Sequence, residues 1–286
     1  MRNHGCFTAQ DGTDIYWHAW LPEASPSAVV VIAHGAAEHG GRYGRLAEAL
    51  TRIGCAVYAI DFRGHGRSGG RRGLIDRMQN AMNDLGTLME QVRTAHPECS
   101  VFLLGHSMGG AIAVGHVLTS TLPRPAGLIL SGPALSLQGV SAPLVLVARL
   151  LSMLLPALPL HQVDASAVSR DTAEIEAYRA DPLAYTGKIP ARTVVELVDL
   201  IGTLPQVYDR LTVPLLIMHG SDDRLIPVSG SQRLHADAGA TVKTLHVYDG
   251  LYHEIFNELP ADRSRVTEDL CDWLLARIDG SGEPQS

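Results

Sequence analysis

Six short apolar runs, most of them rich in β-branched residues, recur along this chain, and they constrain its fold more than any other feature. They lie in the segments AVVVIAHG, CAVYAIDF, SVFLLGHS, AGLILSGP, VPLLIMHG and KTLHVY. Because they are almost continuously apolar, these runs are typical of strands that are covered on both faces, as in a parallel sheet. Helical patterns separate most of the runs. The alternation predicts an α/β fold with a mostly parallel central sheet flanked by helices.

The alternation is interrupted in two places. Near the N-terminus, CFTAQDGTDIYWHAWLP has an Asp-Gly turn between two extended segments, which predicts an antiparallel hairpin at the sheet edge. Between residues 135 and 205 the chain has helical patterns and no clear strand, and this segment separates the fourth apolar run from the fifth. We therefore expect an α/β core of residues 1–134 and 206–286, with residues 135–205 inserted into it as a helical cap.

The apolar stretch of residues 142–160 raises the question of a membrane span. Arg149 lies near its centre, and Pro143, Pro156 and Pro159 interrupt it. The uninterrupted helix is well short of the ~20 residues that a bilayer requires, so a cap helix is expected. Apolar residues surround this helix almost completely. One face can pack against the core or line an acyl tunnel, and the apolar residues outside that face are then available for transient contact with lipid or with a second subunit.

The first of two glycine motifs is GHGRSG, in the segment AIDFRGHGRSGG, which matches the G-x-G-x-x-G pattern of dinucleotide-binding loops. That fingerprint requires a helix at its third glycine and an acidic residue at the end of the next strand. Here the helical pattern begins only near Asp76, the next strand ends in Gly-His-Ser, and Asp84 lies inside the helical pattern. The motif is therefore interpreted as a turn that leaves a strand.

The second motif, in LLGHSMGG, matches G-x-S-x-G, the nucleophile elbow of serine hydrolases. An apolar strand leads directly into it, and MGGAIAVGHVL continues it with a helical pattern. The elbow holds its serine at the tip of a tight strand-to-helix turn. Glycines are needed at 105 and 109 because side chains there would collide with neighbouring backbone. Ser107 is therefore the expected nucleophile of an acyl-transfer reaction.

A serine hydroxyl needs a base to take its proton. In hydrolases with this elbow the acid and the histidine follow the serine in chain order, each on a loop beyond a later strand. The loop SDDRLIP offers Asp222 and Asp223, and the loop DGLYHEIFNE offers His253. His246 and His235 lie within a strand and a helical pattern instead. The G-x-x-D spacing favours Asp223, and Asp222 stays open as the alternative.

Acyl transfer also needs donors for the tetrahedral oxyanion, each worth about 3–4 kcal/mol. Met108, the residue after the nucleophile, supplies one backbone N–H, and we expect the second from Ala36 in the loop HGAAEH. In the same loop, His34, Glu38 and His39 lack the H-E-x-x-H spacing of a zinc site. No metal or other cofactor is expected.

The composition narrows the range of partners and compartments. The formal net charge is −7 and no basic block stands out beyond RSGGRR, so nucleic acid is not an expected partner. The N-terminal segment MRNHGCFTAQDGTD lacks the apolar region of a secretory signal. The four cysteines have no C-x-x-C spacing. These features predict reduced cysteines and a cytoplasmic protein, with peripheral membrane contact as a weaker hypothesis.

Taken in order, these motifs resemble those of the monoacylglycerol lipases of the α/β-hydrolase superfamily, particularly the bacterial type. HGAAEHGGRY is similar to that family's HG-x-x-EH-x-x-RY segment and DFRGHGRSGG to its D-x-RGHG-x-S-x-G turn, followed by GHSMGG, SRDTAEIEAYRADPL, HGSDDRLIP and GLYHEIFNE. The resemblance covers nearly the whole chain. It implies an α/β-hydrolase fold with a helical cap, and a serine hydrolase that cleaves monoacylglycerols to glycerol and fatty acid through an acyl-enzyme. A carboxylesterase or lysophospholipase of broader specificity, and a non-catalytic binding protein on the same scaffold, are the alternatives.

The resemblance also implies roles for single residues. It assigns the triad and the two oxyanion donors to Ser107, Asp223, His253, Ala36 and Met108. By motif position, the groups that hold the glycerol headgroup are Arg42, His106, Glu174 and Tyr178. For the last two, the alternative is the solvated face of a cap helix. The family often has glycine where this chain has Ala37. The additional methyl group means that the sequence does not determine the shape of that loop.

Overall fold

The computed structural model describes residues 1–278. The strands are β1 (Arg2–Thr8), β2 (Asp14–Trp20), β3 (Ala28–Ala33), β4 (Cys55–Ile60), β5 (Ser100–His106), β6 (Gly127–Ser131), β7 (Pro159–His161), β8 (Ile189–Pro190), β9 (Leu215–Gly220) and β10 (Lys243–Tyr248). The helices are α1 (Gly44–Arg52), α2 (Met78–Ala95), α3 (Met108–Thr119), α4 (Ala142–Leu154), α5 (Thr172–Ala180), α6 (Ala191–Thr203), α7 (Ser229–Asp237) and α8 (Pro260–Ile278).

Eight of these strands form one sheet in the order β1-β2-β4-β3-β5-β6-β9-β10. β1 and β2 pair as an antiparallel hairpin at its edge, β2 pairs antiparallel with β4, and the remaining neighbours are parallel. All six apolar runs form strands of this sheet, so the predicted α/β fold with a mostly parallel sheet is confirmed. Because parallel strands all end at one edge, the loops that follow β3, β5, β9 and β10 meet there.

The parallel strands β3, β4, β5, β6 and β9 are buried on both faces, which explains why they are almost continuously apolar. Along β3, Val29 and Val31 pack into the core on one face, while Val30 and Ile32 pack into the core on the other. Helices α2 and α3 cover the first face, and α1 and α8 cover the second. This three-layer arrangement leaves the strand ends as the place where loops can build a site.

The glycine motif GHGRSG forms a turn after β4. Gly64 and Gly66 have φ values of 73° and 53°, which favour glycine, and α2 begins only at Met78, well beyond the third glycine of the motif. Beneath the turn, Arg63 pairs with Asp84 of α2 through two hydrogen bonds of 2.8 and 3.0 Å. Asp84 is buried in this pair. The motif therefore has a structural role, as predicted from its spacing.

Between β6 and β9 the chain leaves the sheet and forms α4, α5 and α6. It also forms a two-stranded antiparallel pair, β7 with β8, which the sequence analysis did not predict. These strands have only three and two residues, too few for a recognisable alternation. The division into core and cap at residues 135 and 205 stays a prediction. Among residues 1–278, no helix combines the length and apolarity needed to cross a bilayer.

Candidate active site

The loop between β5 and α3 has the geometry of a nucleophile elbow. Ser107 has φ 52° and ψ −121°, a conformation that costs free energy for a non-glycine residue and points to a functional constraint. A Cβ at Gly109 would lie 2.2 Å from the carbonyl oxygen of Ala33, and one at Gly105 would lie 2.7 Å from the carbonyl oxygen of Gly109. Only glycine fits at either position, so strand, turn and helix can pack this closely.

The loops after β9 and β10 bring an aspartate and a histidine together. His253 Nδ1 lies 2.6 Å from Asp223 Oδ2. Asp223 Oδ1 accepts the backbone N–H groups of Leu225 at 2.8 Å and Ile226 at 2.9 Å, which fix the carboxylate. Asp222 is exposed, and its Oδ1 accepts from the Ser221 hydroxyl instead. The structure therefore places Asp223, and not Asp222, beside the histidine.

The charges of this pair stabilise each other. Burial alone would raise the pKa of Asp223, but the facing His253 and the hydrogen bond from His219 bring it well below its usual range. Burial alone would lower the pKa of His253, but the Asp223 carboxylate more than offsets that and raises it. An imidazole whose cation is favoured in this way is suited to take a proton from a neighbouring hydroxyl.

Ser107 and His253 line the same cavity, which we call the Ser107 cavity and which has a volume of about 670 Å³. Most of its wall is apolar, and α4 and α6 contribute Leu144, Val145, Ala148, Val194, Leu197 and Val198 to it. The polar residues of this wall include the serine, the histidine and, near them, Glu38, His106 and Glu254. An apolar cavity with a small number of convergent polar groups is the usual form of a small-molecule site.

The two expected oxyanion donors also line the Ser107 cavity. Met108 is the first residue of α3, so its N–H has no acceptor within the helix and lies at the positive end of the helix dipole. Ala36 lies in the loop after β3, which is held by hydrogen bonds from Gly35 N–H to Glu38 and from Tyr185 N–H to the Ala37 carbonyl oxygen.

Ala37 occupies the position at which the resemblance leads one to expect glycine. It is fully buried and has φ 65°, in the left-handed region that favours glycine. The loop therefore keeps the glycine conformation in spite of the additional methyl group.

The four residues expected to hold a headgroup fall into three groups. His106 and Tyr178 line the Ser107 cavity. Arg42 lies beside it, with its guanidinium 5.0 Å from the Tyr178 ring centroid. Glu174 is not part of the cavity wall and pairs with Arg45 at 2.7 Å. Its position favours the alternative of a partly solvated helix face, because a carboxylate engaged there does not reach the serine.

Two carboxylates that the sequence analysis did not assign to the site, Glu38 and Glu254, border the Ser107 cavity. The Arg42 guanidinium makes two hydrogen bonds to Glu254, at 2.7 and 2.8 Å, and one to Glu38 at 2.9 Å. Burial would raise the pKa of Glu38, but Arg42 and neighbouring histidines lower it to about 2. Of these two carboxylates, Glu254 could have been found from the sequence, because it directly follows His253. Two anions and one cation therefore leave a net negative charge beside the imidazole.

Comparison with known proteins shows extensive similarity. The Hydrolase_4 family, described as serine aminopeptidase, S33, matches residues 24–260. A monoacylglycerol lipase of Mycolicibacterium smegmatis is 41% identical over 279 residues, covering 97% of this chain and 98% of that protein. The monoglyceride lipase of Rattus norvegicus is 35% identical, covering 95% and 90%. The crystal structure of a Paleococcus ferrophilus monoacylglycerol lipase is 30% identical, with a TM-score of 0.82 and coverage of 92% and 99%.

Proposed function

This chain belongs to the Hydrolase_4 family, and we propose that it hydrolyses the ester bond of monoacylglycerols to glycerol and free fatty acid. It is a serine ester hydrolase with the α/β-hydrolase fold. The observation that carries the proposed substrate is the Ser107 cavity, in which Ser107 and His253 stand in a wall that is otherwise mostly apolar. Such a cavity fits one acyl chain, with its ester group at the serine.

In the proposed mechanism Ser107 Oγ attacks the ester carbonyl and His253 takes the hydroxyl proton. Asp223 orients the imidazole and stabilises its cation, while the backbone N–H groups of Ala36 and Met108 bind the oxyanion. His253 then gives the proton to the leaving glycerol oxygen. A water molecule, deprotonated by the same imidazole, hydrolyses the acyl-enzyme and releases the fatty acid.

The glycerol headgroup is expected at the polar end of the cavity, beside His106 and Tyr178. Arg42 lies behind them and is committed to Glu38 and Glu254. We therefore propose that Arg42 acts on the headgroup through these two carboxylates, and that Glu174, which is engaged by Arg45, lies outside the headgroup site.

The family description names a serine aminopeptidase. The pairing of Glu38 and Glu254 with Arg42 nevertheless favours an ester over a peptide substrate. An aminopeptidase must bind the ammonium group of its substrate, for which carboxylates are the natural partners. Glu38 and Glu254, the two carboxylates that border the cavity, are both engaged by Arg42. Hydrolysis of aminoacyl p-nitroanilides, whose ammonium group would compete with Arg42 for these carboxylates, is therefore expected to be slower than hydrolysis of a soluble ester.

The proposal includes a helical cap, residues 135–205, that makes peripheral contact with lipid. On α4, the side chains of Leu144, Leu146, Val147, Leu150, Met153 and Leu154 are exposed. A contiguous apolar surface of this kind usually marks a binding site. Because other residues of the same helix line the Ser107 cavity, contact with a lipid aggregate would place the substrate next to its binding site.

The test compares hydrolysis of mono-, di- and triolein with that of a soluble butyrate ester, for the wild type and for Ser107→Ala. We expect monoolein to be the preferred glyceride and the variant to lose turnover and fluorophosphonate labelling while keeping its circular dichroism spectrum. Activity retained by the variant would refute Ser107 as the nucleophile. Equal rates on soluble ester and monoolein would favour the broader carboxylesterase instead.

A further inference from the structure

A second cluster of polar side chains lies outside the Ser107 cavity, between the β1–β2 hairpin and the loop after β3. We propose that His18, His39 and Asp61 form a binding site for a divalent transition metal of the Zn²⁺ class. Each residue offers one ligand atom, and these atoms all lie within 4.8 Å of one another. Two imidazoles and a carboxylate are a ligand set that zinc accepts, with a fourth position left for water.

Asp61 is the anionic part of this set. It follows β4, its side chain is fully buried, and its oxygens accept the backbone N–H groups of Gly40 and Arg67, both at 2.8 Å. Among residues 1–278, the ion-pair partner of this carboxylate is His18 rather than an arginine or lysine. A buried anion with so little positive charge nearby favours a cation.

The hydrogen bonds of His39 place its lone pair on Nδ1, where a metal would take the place of a backbone N–H group. Its Nδ1 accepts the Gly41 N–H at 3.1 Å and therefore carries the lone pair, so the proton is on Nε2. Nε2 then donates to Asp181 Oδ2 at 2.9 Å. A carboxylate that holds the second nitrogen of a histidine is the usual support of a metal ligand, because it fixes the tautomer and the ring orientation.

His18 Nε2 lies 3.2 Å from Asp61 Oδ1. Two ligands of a tetrahedral zinc, each at 2.0–2.1 Å from the metal, are about 3.3 Å apart. These two atoms therefore already have the spacing of zinc ligands. The His39 nitrogen lies within 4.8 Å of both, so it needs to move by at most about 1.5 Å to reach that spacing. His18 would bind the metal through Nε2 as the neutral tautomer that carries its proton on Nδ1, so the metal takes the place of the hydrogen bond between Nε2 and Asp61.

Glycine leaves the space between the two imidazoles. A Cβ at Gly41 would lie 2.9 Å from Nδ1 and Cε1 of His39 and 3.2 Å from Cε1 of His18. His18 and His39 also line a cavity of about 350 Å³, which gives water and a metal ion access to the cluster. Two arginines line the same cavity and are already engaged, Arg2 with Glu48 at 3.0 Å and Arg67 over the Tyr16 ring.

The three ligands come from β2, from the loop after β3 and from the end of β4. A metal would therefore connect the edge hairpin to the loop that carries Ala36, which stabilises the folded chain in proportion to metal occupancy. Ligand spacing along the chain indicated no metal site. Residues 18, 39 and 61 lie on separate elements, so no local spacing could reveal the site.

Isothermal titration of the tag-free, chelator-treated chain with Zn²⁺ tests the proposal. We expect one ion per chain and a higher melting temperature with Zn²⁺. His18→Phe, which keeps an aromatic ring against Trp20, should weaken binding at least ~100-fold, and Asp181→Asn should weaken it ~10–100-fold. Hydrolysis of a soluble ester reports that these variants are folded.

Two control variants separate this site from others. His246 also lies on a strand and stacks on an aromatic residue two positions along, Tyr248, so His246→Phe is the matched control and should bind as the wild type does. Ser107→Ala should also bind normally, which separates the result from the proposed function. The proposal is overturned if the wild type shows no saturable one-to-one binding, or if His18→Phe binds Zn²⁺ as tightly as the wild type.

Discussion

At the scale of single residues, the two adjacent aspartates after β9 have opposite environments. Asp223 is buried against His253, whereas Asp222 is exposed. We expect Asp223→Asn to lower kcat by about 10⁴-fold, because an amide can neither hold the required imidazole tautomer nor stabilise its cation. Asp222→Asn should change kcat less than about tenfold. Steady-state hydrolysis of a soluble ester measures both, and the reverse order would transfer the role to Asp222.

The pH dependence of activity depends on the charges around His253. The base must be neutral to act, so activity is lost as the pH falls through the pKa of His253. Burial lowers that pKa, but Asp223 raises it above the ordinary 6.5, and Glu254 and Glu38 add to the increase. Glu254→Gln removes one anion and leaves Arg42 less compensated. The acidic limb of kcat/KM should therefore move to lower pH.

The control for this shift is Glu176→Gln, which removes a charge from the exposed face of α5. Its pH profile should coincide with that of the wild type. An acidic limb that stays in place, or moves to higher pH, in Glu254→Gln would show that the Glu38–Arg42–Glu254 cluster does not set the charge of the imidazole.

At the scale of elements, α4 has apolar side chains on both its buried and its exposed sides. Leu146 is 61% exposed and Leu150 is 57% exposed, so neither is part of the core. The double variant Leu146→Ser/Leu150→Ser should keep its melting temperature and its activity on a soluble butyrate ester. It should lose about tenfold in monoolein hydrolysis in micelles, because each side chain that enters lipid contributes about 1.5–3 kcal/mol when fully buried and less when partly buried.

A matched double variant places serine at two exposed apolar positions outside α4, Val247 and Leu259. It should behave as the wild type on both substrates. Equal losses on micelles and on the soluble ester for the α4 variant would instead show that the helix supports the fold and has no specific contact with lipid.

At the scale of the whole molecule, the sheet loops and the helices between β6 and β9 enclose the Ser107 cavity together. Each methylene that enters it should contribute about 0.8 kcal/mol, which is up to ~4-fold in kcat/KM, until the cavity is filled. Ala148 is buried in the wall of this cavity. Ala148→Phe should therefore move the maximum of kcat/KM to shorter acyl chains. Val147→Phe, at an exposed neighbouring position, is the control.

A series of monoacylglycerols of increasing chain length measures this profile for all three proteins. An unchanged optimum in Ala148→Phe would mean that the acyl chain lies elsewhere.

Much of this arrangement could be predicted from local sequence because it depends on local physical rules. Strands buried on both faces must be almost entirely apolar, so the runs that form β3, β4, β5, β6 and β9 were recognisable, whereas β10 is only partly buried. The elbow at Ser107 requires glycines at fixed offsets. The histidine had to follow a late strand, which identified His253 among thirteen histidines.

Other features were decided only by the tertiary structure, because they depend on where side chains from distant segments point. Adjacent residues project in different directions, so only the folded loop separates Asp223 from Asp222. Glu174 follows the expected motif, but its carboxylate is engaged by Arg45. Arg42 and Glu254 are 212 positions apart, and their ion pair exists because the loops after β3 and β10 end at the same edge of the sheet. Local sequence determined the strands of the central sheet and the elbow that carries the proposed nucleophile, whereas the packing of the loops determined the charges around that serine.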